Sequence, residues 1–375
     1  MATTLRPVLV TGGAGFIGSH LVDALVERGH KVSVLDSLVP QVHAGGEPEY
    51  LNSKAEFIRG NVADRQALRH ALKGVEVVFH QAAEVGVGQS MYEIDRYLTG
   101  NTAATGVLLE EVVAASPKIK KLIVASSMSI YGEGSYTCPK CGAVAPLLRD
   151  DDQLNRSDWE VRCPNCKNVL APAKTSEDKP LFPNSVYAIT KQDQEQLCLV
   201  VGRAYNIPTV ALRYFNAYGT RQALSNPYTG VCAIFSSRLL NGRAPMVFED
   251  GGQTRDFVHV DDIVRANILA LESSRGDFLP INVGTGVATS IGKVAELLAH
   301  GLGVNIKPEY AGKYRKGDIR HCIADTTRAT KLLGYKPSKW LEQGIPDLLG
   351  WVQQQTATDQ VDQATEELRR RSLVQ

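Results

Sequence analysis

Thr11-Gly12-Gly13-Ala14-Gly15-Phe16-Ile17-Gly18 decides the fold of this chain. The apolar run Pro7-Val8-Leu9-Val10 leads into it, and an amphipathic run, Phe16 to Glu27, leaves it. That order is strand, glycine turn, helix. Gly12 permits a tight turn. Gly15 has no Cβ, so a diphosphate can approach the backbone, and Gly18 lets the helix pack close to the strand. The first helical N–H groups, from Phe16 and Ile17 onward, then face the phosphates with a partial positive charge. Lys31 to Leu35 reads as a second strand, and Asp36 ends it. A carboxylate there accepts hydrogen bonds from both ribose hydroxyls and repels a 2′-phosphate, which favours NAD over NADP. The bland alternative is an ordinary helix cap beside a surface Asp. The strand, helix and acid in their required order argue against it.

The rest of the chain fits an enzyme-sized α/β protein. Its 375 residues allow one large or two ordinary domains. A net charge of +1 and the lack of a long basic run speak against a nucleic-acid binder. No apolar stretch approaches the ~20 residues of a membrane span. The glycine strand lies so near the first residue that no signal peptide is expected. Seven cysteines, four of them in two Cys-x-x-Cys pairs, suit a reducing cytoplasm better than a disulfide scaffold.

Strand and helix signals alternate onward. Ala55 to Arg59 reads as a strand, followed by Asn61 and Val62, and Arg65 to Lys73 as a helix. Glu76 to His80 is a buried strand ending in Gln81-Ala82-Ala83. Small residues at that edge permit close approach of a ligand, and open α/β sheets bind ligands there. Tyr97 to Ala115 reads as one long helix with Asn101 near its start, placed to meet the cofactor or to satisfy a loop. Ile119 to Ala125 is a strand running into Ser126-Ser127. Gly134 to about Asp178 has no sustained period. Helical spacing returns at Ser185 to Ala204, and Thr209 to Phe215 is a buried strand. Phe257 to Leu271 reads as a strand, turn and helix rejoining the first domain. The tail from Thr356 is polar. Glu366 with Arg370 and Glu367 with Arg371 stand four apart, which predicts a solvated surface helix.

Tyr187 and Lys191 also stand four apart on a predicted helix, so they share a face. An ammonium near a phenol stabilises phenolate and lowers its pKa. The result is a base able to take a proton from an alcohol while hydride leaves to NAD. Ser127, at a strand end, can bond the same alcohol oxygen. A Tyr-x-x-x-Lys pair alone carries little weight. It gains weight by following a dinucleotide motif and a strand-end serine in the right order.

The Gly12-x-x-Gly15-x-x-Gly18 turn, Ser127, Tyr131-Gly132, Tyr187-Ala-Ile-Thr-Lys191, Arg213-Tyr-Phe-Asn216 and Arg255-Asp-Phe-Val-His-Val-Asp-Asp262 together resemble the extended short-chain dehydrogenase/reductase family. Within it the chain is most similar to the NAD-dependent nucleotide-sugar epimerases, as far as about Trp351. The resemblance implies a Rossmann doubly wound parallel sheet with tightly held NAD and a smaller C-terminal substrate domain. It implies a homodimer paired through a four-helix bundle that includes the Tyr187 helix. It places Asn61 and Val62 by the adenine, Phe215 at the cofactor, and Asn216, Arg255, Arg315 and Asp318 on the sugar nucleotide. The family more often has Asp where this chain has Asn61. Two arginines suit a diphosphate, and an acid suits a ribose hydroxyl. Arg315 beside Asp318 also reads as a plain surface ion pair. Dehydratases of the family carry Asp-Glu directly after the strand-end Ser or Thr, and decarboxylases carry Glu two residues after it. This chain has Met128 and Ser129 there, which disfavours elimination and leaves the simpler oxidise, rotate and reduce cycle of a 4-epimerase.

Cys138-Pro-Lys-Cys141 and Cys163-Pro-Asn-Cys166 are two knuckles, each offering two thiolates from one turn. The set resembles a zinc ribbon with a closed, structural site. Iron in a rubredoxin-like site, or disulfides, are the alternatives. Trp159 to Arg162 is the expected strand into the second knuckle. The insert should emerge near the active-site mouth, as a lid, a dimer contact or a docking module. Its run Asp150-Asp151-Asp152 argues against a nucleic-acid role.

The domains expected are residues 1–133 and 179–216 for NAD, with 257–271 rejoining them. Residues 134–178 form the insert, 217–256 and 272–351 the substrate region, and 352–375 a polar tail helix. The leading function is an NAD-dependent nucleotide-sugar 4-epimerase, an isomerase. A dehydratase or reductase on similar substrates, or an NAD-bound scaffold recruiting a partner through the ribbon, are the competing readings. The sugar pocket is expected between Glu84–Ser90, with Ser90 a contact, and Tyr228–Val231, with Val231 a contact. Neither stretch holds Lys or Arg, so a uronate is disfavoured unless Arg221 or Arg238 reaches in. A UDP- or dTDP-hexose or 6-deoxyhexose, dTDP-L-rhamnose among them, is preferred.

Overall fold

The computed structural model describes residues 5–43 and 46–375. Seven parallel strands form the main sheet, in the order Leu279–Val283, Thr209–Tyr214, Lys121–Ser127, Val77–His80, Pro7–Thr11, Lys31–Asp36, Glu56–Arg59. The order reverses between Pro7–Thr11 and Val77–His80, and such a switch point opens a crevice at the strands' C-terminal ends. Both faces are covered, which explains why the strands read as continuous apolar runs. Val8 and Val10 point to one core, shared with Leu21, Leu25 and Ile263 from the helices Phe16–Glu27 and Val260–Glu272. Leu9 points to the other, shared with Leu68, Leu108 and Cys198 from the opposite layer.

The glycine turn is built on contact. A Cβ on Gly18 would sit 2.1 Å from the carbonyl oxygen of Gly12, and one on Gly12, whose φ is +69°, would sit 2.7 Å from the Ala82 backbone. Larger residues would push the helix off the sheet. The helix spans Phe16–Glu27, the limits the sequence predicts.

A second core gathers Phe235, Leu298 and Leu348 from the helices Val231–Leu240, Ile291–Gly301 and Leu341–Val352. The segment rejoining the first domain runs further than 257–271. Phe257–His259 pairs with Asn216–Tyr218 beside the main sheet, and Leu279–Val283 then completes that sheet's edge.

Residues 134–178 do contain strands, although their period is too short to read. Ser135–Cys138 pairs with Gly142–Val144 and with Ala171–Thr175, and the latter pairs with His321–Ala324. The insert is therefore sewn into a sheet with the C-terminal region. Trp159 to Arg162 is not a strand; only Arg162 bridges to Val169.

The tail also differs from its expectation. Its helix, Val361–Arg370, does make the Glu367–Arg371 pair at 2.7 Å and the Glu366–Arg370 pair at 3.5 Å on its outer side. Its other side, with Ala364, Thr365 and Leu368, is buried against the body. It is a packed element and not a solvated appendage. Among the described residues no helix is long and apolar enough to cross a membrane.

Candidate active site

A cavity of about 610 Å³ runs along the C-terminal ends of the strands, from the glycine turn to the C-terminal region. At one end Gly12, Gly15, Phe16, Ile17 and Gly18 line it, with Asp36, Asn61 and Val62 beyond them. Gly15 starts the helix with no side-chain cap, and a Cβ on it would meet only the Gly12 oxygen, at 3.4 Å. An open glycine at an uncapped helix N-terminus suits a diphosphate. The Asp36 carboxylate is held in place by the N–H groups of Ala14, at 3.0 Å, and Leu38, at 2.9 Å. Asn61 accepts from the Ala63 N–H at 2.8 Å, which commits its oxygen and leaves its amide N–H to donate. Gln81, Ala82 and Ala83 form the floor. These residues fit NAD by shape and by chemistry.

Midway along, Ser127, Tyr187 and Lys191 share the wall. Ser127 ends its strand and caps the short turn Met128–Tyr131 by accepting from the Ser129 N–H at 3.1 Å. Ser185 caps the Tyr187 helix through the Ala188 N–H. Lys191 donates to the Ala125 carbonyl and, at 2.8 Å, to Gln194. Burial pushes its ammonium down to about 8. Burial pushes the Tyr187 phenol up, and a hydrogen bond with Ser127 opposes that. The expected lowering of the phenol by Lys191 is thus replaced by a balance between burial and Ser127.

Met128 and Ser129 line the wall next to the triad. Among the described residues the carboxylates that reach the cavity are Asp36, Glu84 and Asp318. Glu84 is paired with Arg96 at 2.7 Å and Asp318 with Arg315 at 2.8 Å, while Asp36 takes backbone N–H groups. None stands beside Tyr187 as an acid for elimination.

At the far end Phe215, Asn216, Val231, Arg255, Arg315 and Asp318 all reach the cavity. Arg315 also stacks on Phe248, 4.8 Å from the ring centre. Arg255 is fixed by the carbonyls of Thr254, Ile319 and Arg320, at 2.7–3.0 Å. Buried atoms here lack partners among the described residues: Asn216 Oδ1, Gln222 Oε1 and Gln253 Oε1. Unmet buried acceptors in a cavity wall mark a polar ligand. Gln222 and Gln253 were missed in the sequence. Gln253 stands two residues before Arg255 at a strand edge, so alternation could have pointed to it.

Two expected contacts are corrected. Asn101 does not reach the cavity. It lies in a π-helical turn, Leu98–Ala103, and its amide is spent on the Glu84 backbone, at 2.7 and 3.1 Å, and on Thr190, at 3.0 Å. Ser90 is fully buried; it accepts from the Tyr187 N–H at 3.0 Å and donates to Val87 at 2.7 Å. Both residues position the walls. Arg221 and Arg238 turn away, to Asp23 and Asp362, each at 2.7 Å.

The insert touches this end from behind. Arg149 grips Glu249 with two bonds of 2.8 and 3.0 Å and the Asp318 carbonyl at 3.3 Å. Arg320 joins the same Glu249 at 2.9 Å, and its N–H is held by Glu133 at 2.7 Å. In the insert's other half, the sulfurs of Cys138, Cys141, Cys163 and Cys166 all lie within 4.8 Å of one another, and none is in a disulfide. A tetrahedral site with ~2.3 Å bonds puts sulfurs about 3.8 Å apart, so the set can close around one ion.

The comparisons agree with this geometry. A model described as the NAD dependent epimerase/dehydratase family matches residues 8–147 and 165–284; the gap falls inside the insert. The dTDP-L-rhamnose 4-epimerase of Burkholderia thailandensis is 35% identical over 353 residues, 93% of this chain and 96% of that protein. The UDP-glucose 4-epimerase of Thermotoga maritima, solved with UDP-glucose, has a TM-score of 0.75 at 34% identity, covering 93% of this chain and 99% of that one. The UDP-glucuronic acid 4-epimerase of Bacillus cereus, solved with UDP-glucuronic acid and NAD, has a TM-score of 0.76 at 29% identity, with the same coverage.

Proposed function

The chain belongs to the NAD-dependent epimerase/dehydratase family, and from that premise we propose that it is an NAD-dependent nucleotide-sugar 4-epimerase, an isomerase acting on a UDP- or dTDP-hexose or 6-deoxyhexose. The observation that carries the reading is Tyr187 with Ser127 in the cavity wall and no carboxylate beside them. Tyr187 takes the proton of the sugar's 4-hydroxyl as C4 is oxidised and gives it back as C4 is reduced. Ser127 holds the same oxygen and opposes the rise that burial gives the phenol, and Lys191 stands in the same wall as the third member of the set. When bound, NAD supplies reversible hydride exchange at C4 and a positive charge that favours the phenolate. Asn216, Gln222 and Gln253 offer unmet acceptors to the sugar nucleotide, and Arg255 and Arg315 face its diphosphate. With Arg221 and Arg238 turned away, and Lys316 in the cavity wall paired with Asp151 at 3.3 Å, a neutral sugar, and among these a 6-deoxyhexose such as dTDP-L-rhamnose, fits better than a uronate.

The cysteine cluster holds one structural zinc in this reading, four thiolates leaving no open position. The chain pairs as a homodimer across Ile94, Leu98, Ile189 and Val200, large apolar side chains exposed on the Tyr187 helix and the helical segment beside it. In this reading the chain works in a reducing cytoplasm, which suits its unpaired cysteines.

Incubating the purified holoprotein with a panel of UDP- and dTDP-sugars, and following ring protons by NMR, tests the function. Inversion at C4 with no net change in NAD is expected. Loss of water would transfer the chain to the dehydratases, and inertness toward the whole panel would leave the scaffold reading standing.

A further inference from the structure

The tail helix, Val361–Arg370, presents Val361, Ala364, Thr365 and Leu368 to the cavity at helical spacing, and Leu373 follows just beyond. The methyls of Leu368 lie 3.5 Å from where a Cβ on Gly88 would be. Gly88 belongs to the turn Val87–Ser90, and Ser90 is bonded to the Tyr187 N–H. Leu368 therefore faces a turn that is tied to the catalytic tyrosine. A hexose presenting its 4-hydroxyl to Tyr187 carries two substituents beside C4: the 3-hydroxyl, and the C6 group on C5. Leu368, Val87 and Val231 offer no polar partner, the tail helix's polar group on this face being Thr365 one turn before, so it is the C6 group that meets the apolar part of the wall.

The tail is anchored to hold that wall. Asp362 pairs with Arg238 at 2.7 Å and with Arg243 at 2.9 Å, and Thr358 donates to Ser225 at 3.0 Å. At its other end the Lys316 N–H donates to the Leu373 carbonyl at 2.9 Å, and Tyr314 and Gln375 exchange backbone bonds of 3.2 and 3.1 Å. Arg371 stacks on Tyr92, 4.3 Å from the ring centre, and the Tyr92 hydroxyl meets that of Tyr228 at 2.6 Å. The tail thus laces together the three segments around the sugar end, near residues 88, 228 and 315.

We infer that the C-terminal helix is the specificity wall of the sugar site, and that Leu368 selects a C6 methyl over a C6 hydroxyl or carboxylate. The inference rests on the epimerase reading above. Leu368→Gln offers a hydrogen bond at a position that has none. It should shift the kcat/KM ratio of dTDP-L-rhamnose to UDP-glucose toward the glucose by roughly 10-fold, the scale of one small group in a pocket. Leu368→Ala should raise KM for the rhamnose substrate by a similar factor, and Leu368→Met should restore it. Glu366→Gln, on the outer side of the same helix, should move neither. All variants should keep NAD.

If the wild type turns over nucleotide sugars and the Leu368 variants lose only thermal stability, with the ratio unmoved, the tail is a structural brace and the inference is wrong. A wild-type preference for UDP-glucuronate overturns it while leaving the epimerase reading intact. A wild type inactive on every sugar overturns both.

Discussion

The two ends of the cavity are made in different ways. The cofactor end is backbone: a glycine turn and an uncapped helix start, with Asp36 held by two N–H groups, all within the first 38 residues. The sugar end is side chains, drawn from segments near residues 88, 228, 253, 316 and 368, with three buried amide oxygens still unmet. Backbone geometry is set locally and tolerates little, since a Cβ on Gly18 would strike a carbonyl at 2.1 Å. Side-chain walls depend on distant packing and can be re-cut. One end is therefore suited to a constant ligand and the other to a variable one.

The sharpest break lies where the two ends meet. Tyr187→Phe removes the proton carrier and leaves both walls intact. It should fold, retain NAD and lose at least ~100-fold in kcat, the low end for a general base. Near-normal turnover would remove Tyr187 from the chemistry.

Lys191 tests the junction through stability. Burial lowers its ammonium from about 10.5 to about 8, so between those values the unfolded chain binds more protons and stability rises with pH. Below pH 8 both states are charged and the full burial cost remains. Lys191→Met loses the bonds to Ala125 and Gln194, an offset that does not titrate. From pH 7.5 to 9.5 the wild type should gain about 2 kcal/mol on the variant in urea unfolding. Parallel pH profiles would show that Lys191 keeps its ordinary affinity for the proton.

Asp36 tests the cofactor end. A 2′-phosphate would meet a carboxylate already fixed by Ala14 and Leu38. Stripped protein refilled with NADP should be at least ~10-fold less active than with NAD, and Asp36→Ala should narrow that gap. Equal activity with the two cofactors in the wild type would sink the ribose argument.

The same contrast governs what could be read in advance. The helix Phe16–Glu27 and the sheet around it were legible because turn glycines and apolar runs act within a few residues. Of the two roles open to Asn101, the structure shows the loop's and not the cofactor's, because a π-helical turn directs its amide toward Glu84 and Thr190, and no local signal marks that turn. Ser90 misled because the partner that consumes its hydroxyl is 97 residues away. The tail announced its outer face through charged pairs. Its inner face is small and mixed, Ala364 and Thr365 with one leucine, and Leu368 lies over Gly88, 280 residues away in the chain. In the insert the cysteine spacing was plain. The link from the insert to residue 320 was not, since it runs through single buried charges on three segments.

That link supplies the smallest effect and the finest test of the contrast. Cys138 ends a strand that pairs with Ala171–Thr175, which pairs with His321–Ala324, and Arg320 just before it gives the carbonyl that holds Arg255. Arg149 adds a second tie, to Glu249 and to the Asp318 carbonyl. A metal that fixes the four cysteines would thus steady Arg255 and Asp318 from a distance, with no part in the chemistry. Native protein should contain about one zinc per chain. Cys138→Ser should lose it, raise KM for the nucleotide sugar by about five-fold, or roughly 1 kcal/mol, and leave kcat and NAD retention near the wild type. Arg149→Met should raise KM in the same way with the metal in place, because it cuts the tie and spares the thiolates. If the metal-free variant keeps its KM, the insert is a module of its own and the sugar end stands without it. If NAD retention falls as well, the two ends are less separate than their construction implies, because among the described residues Cys138 and the glycine turn lie in different sheets.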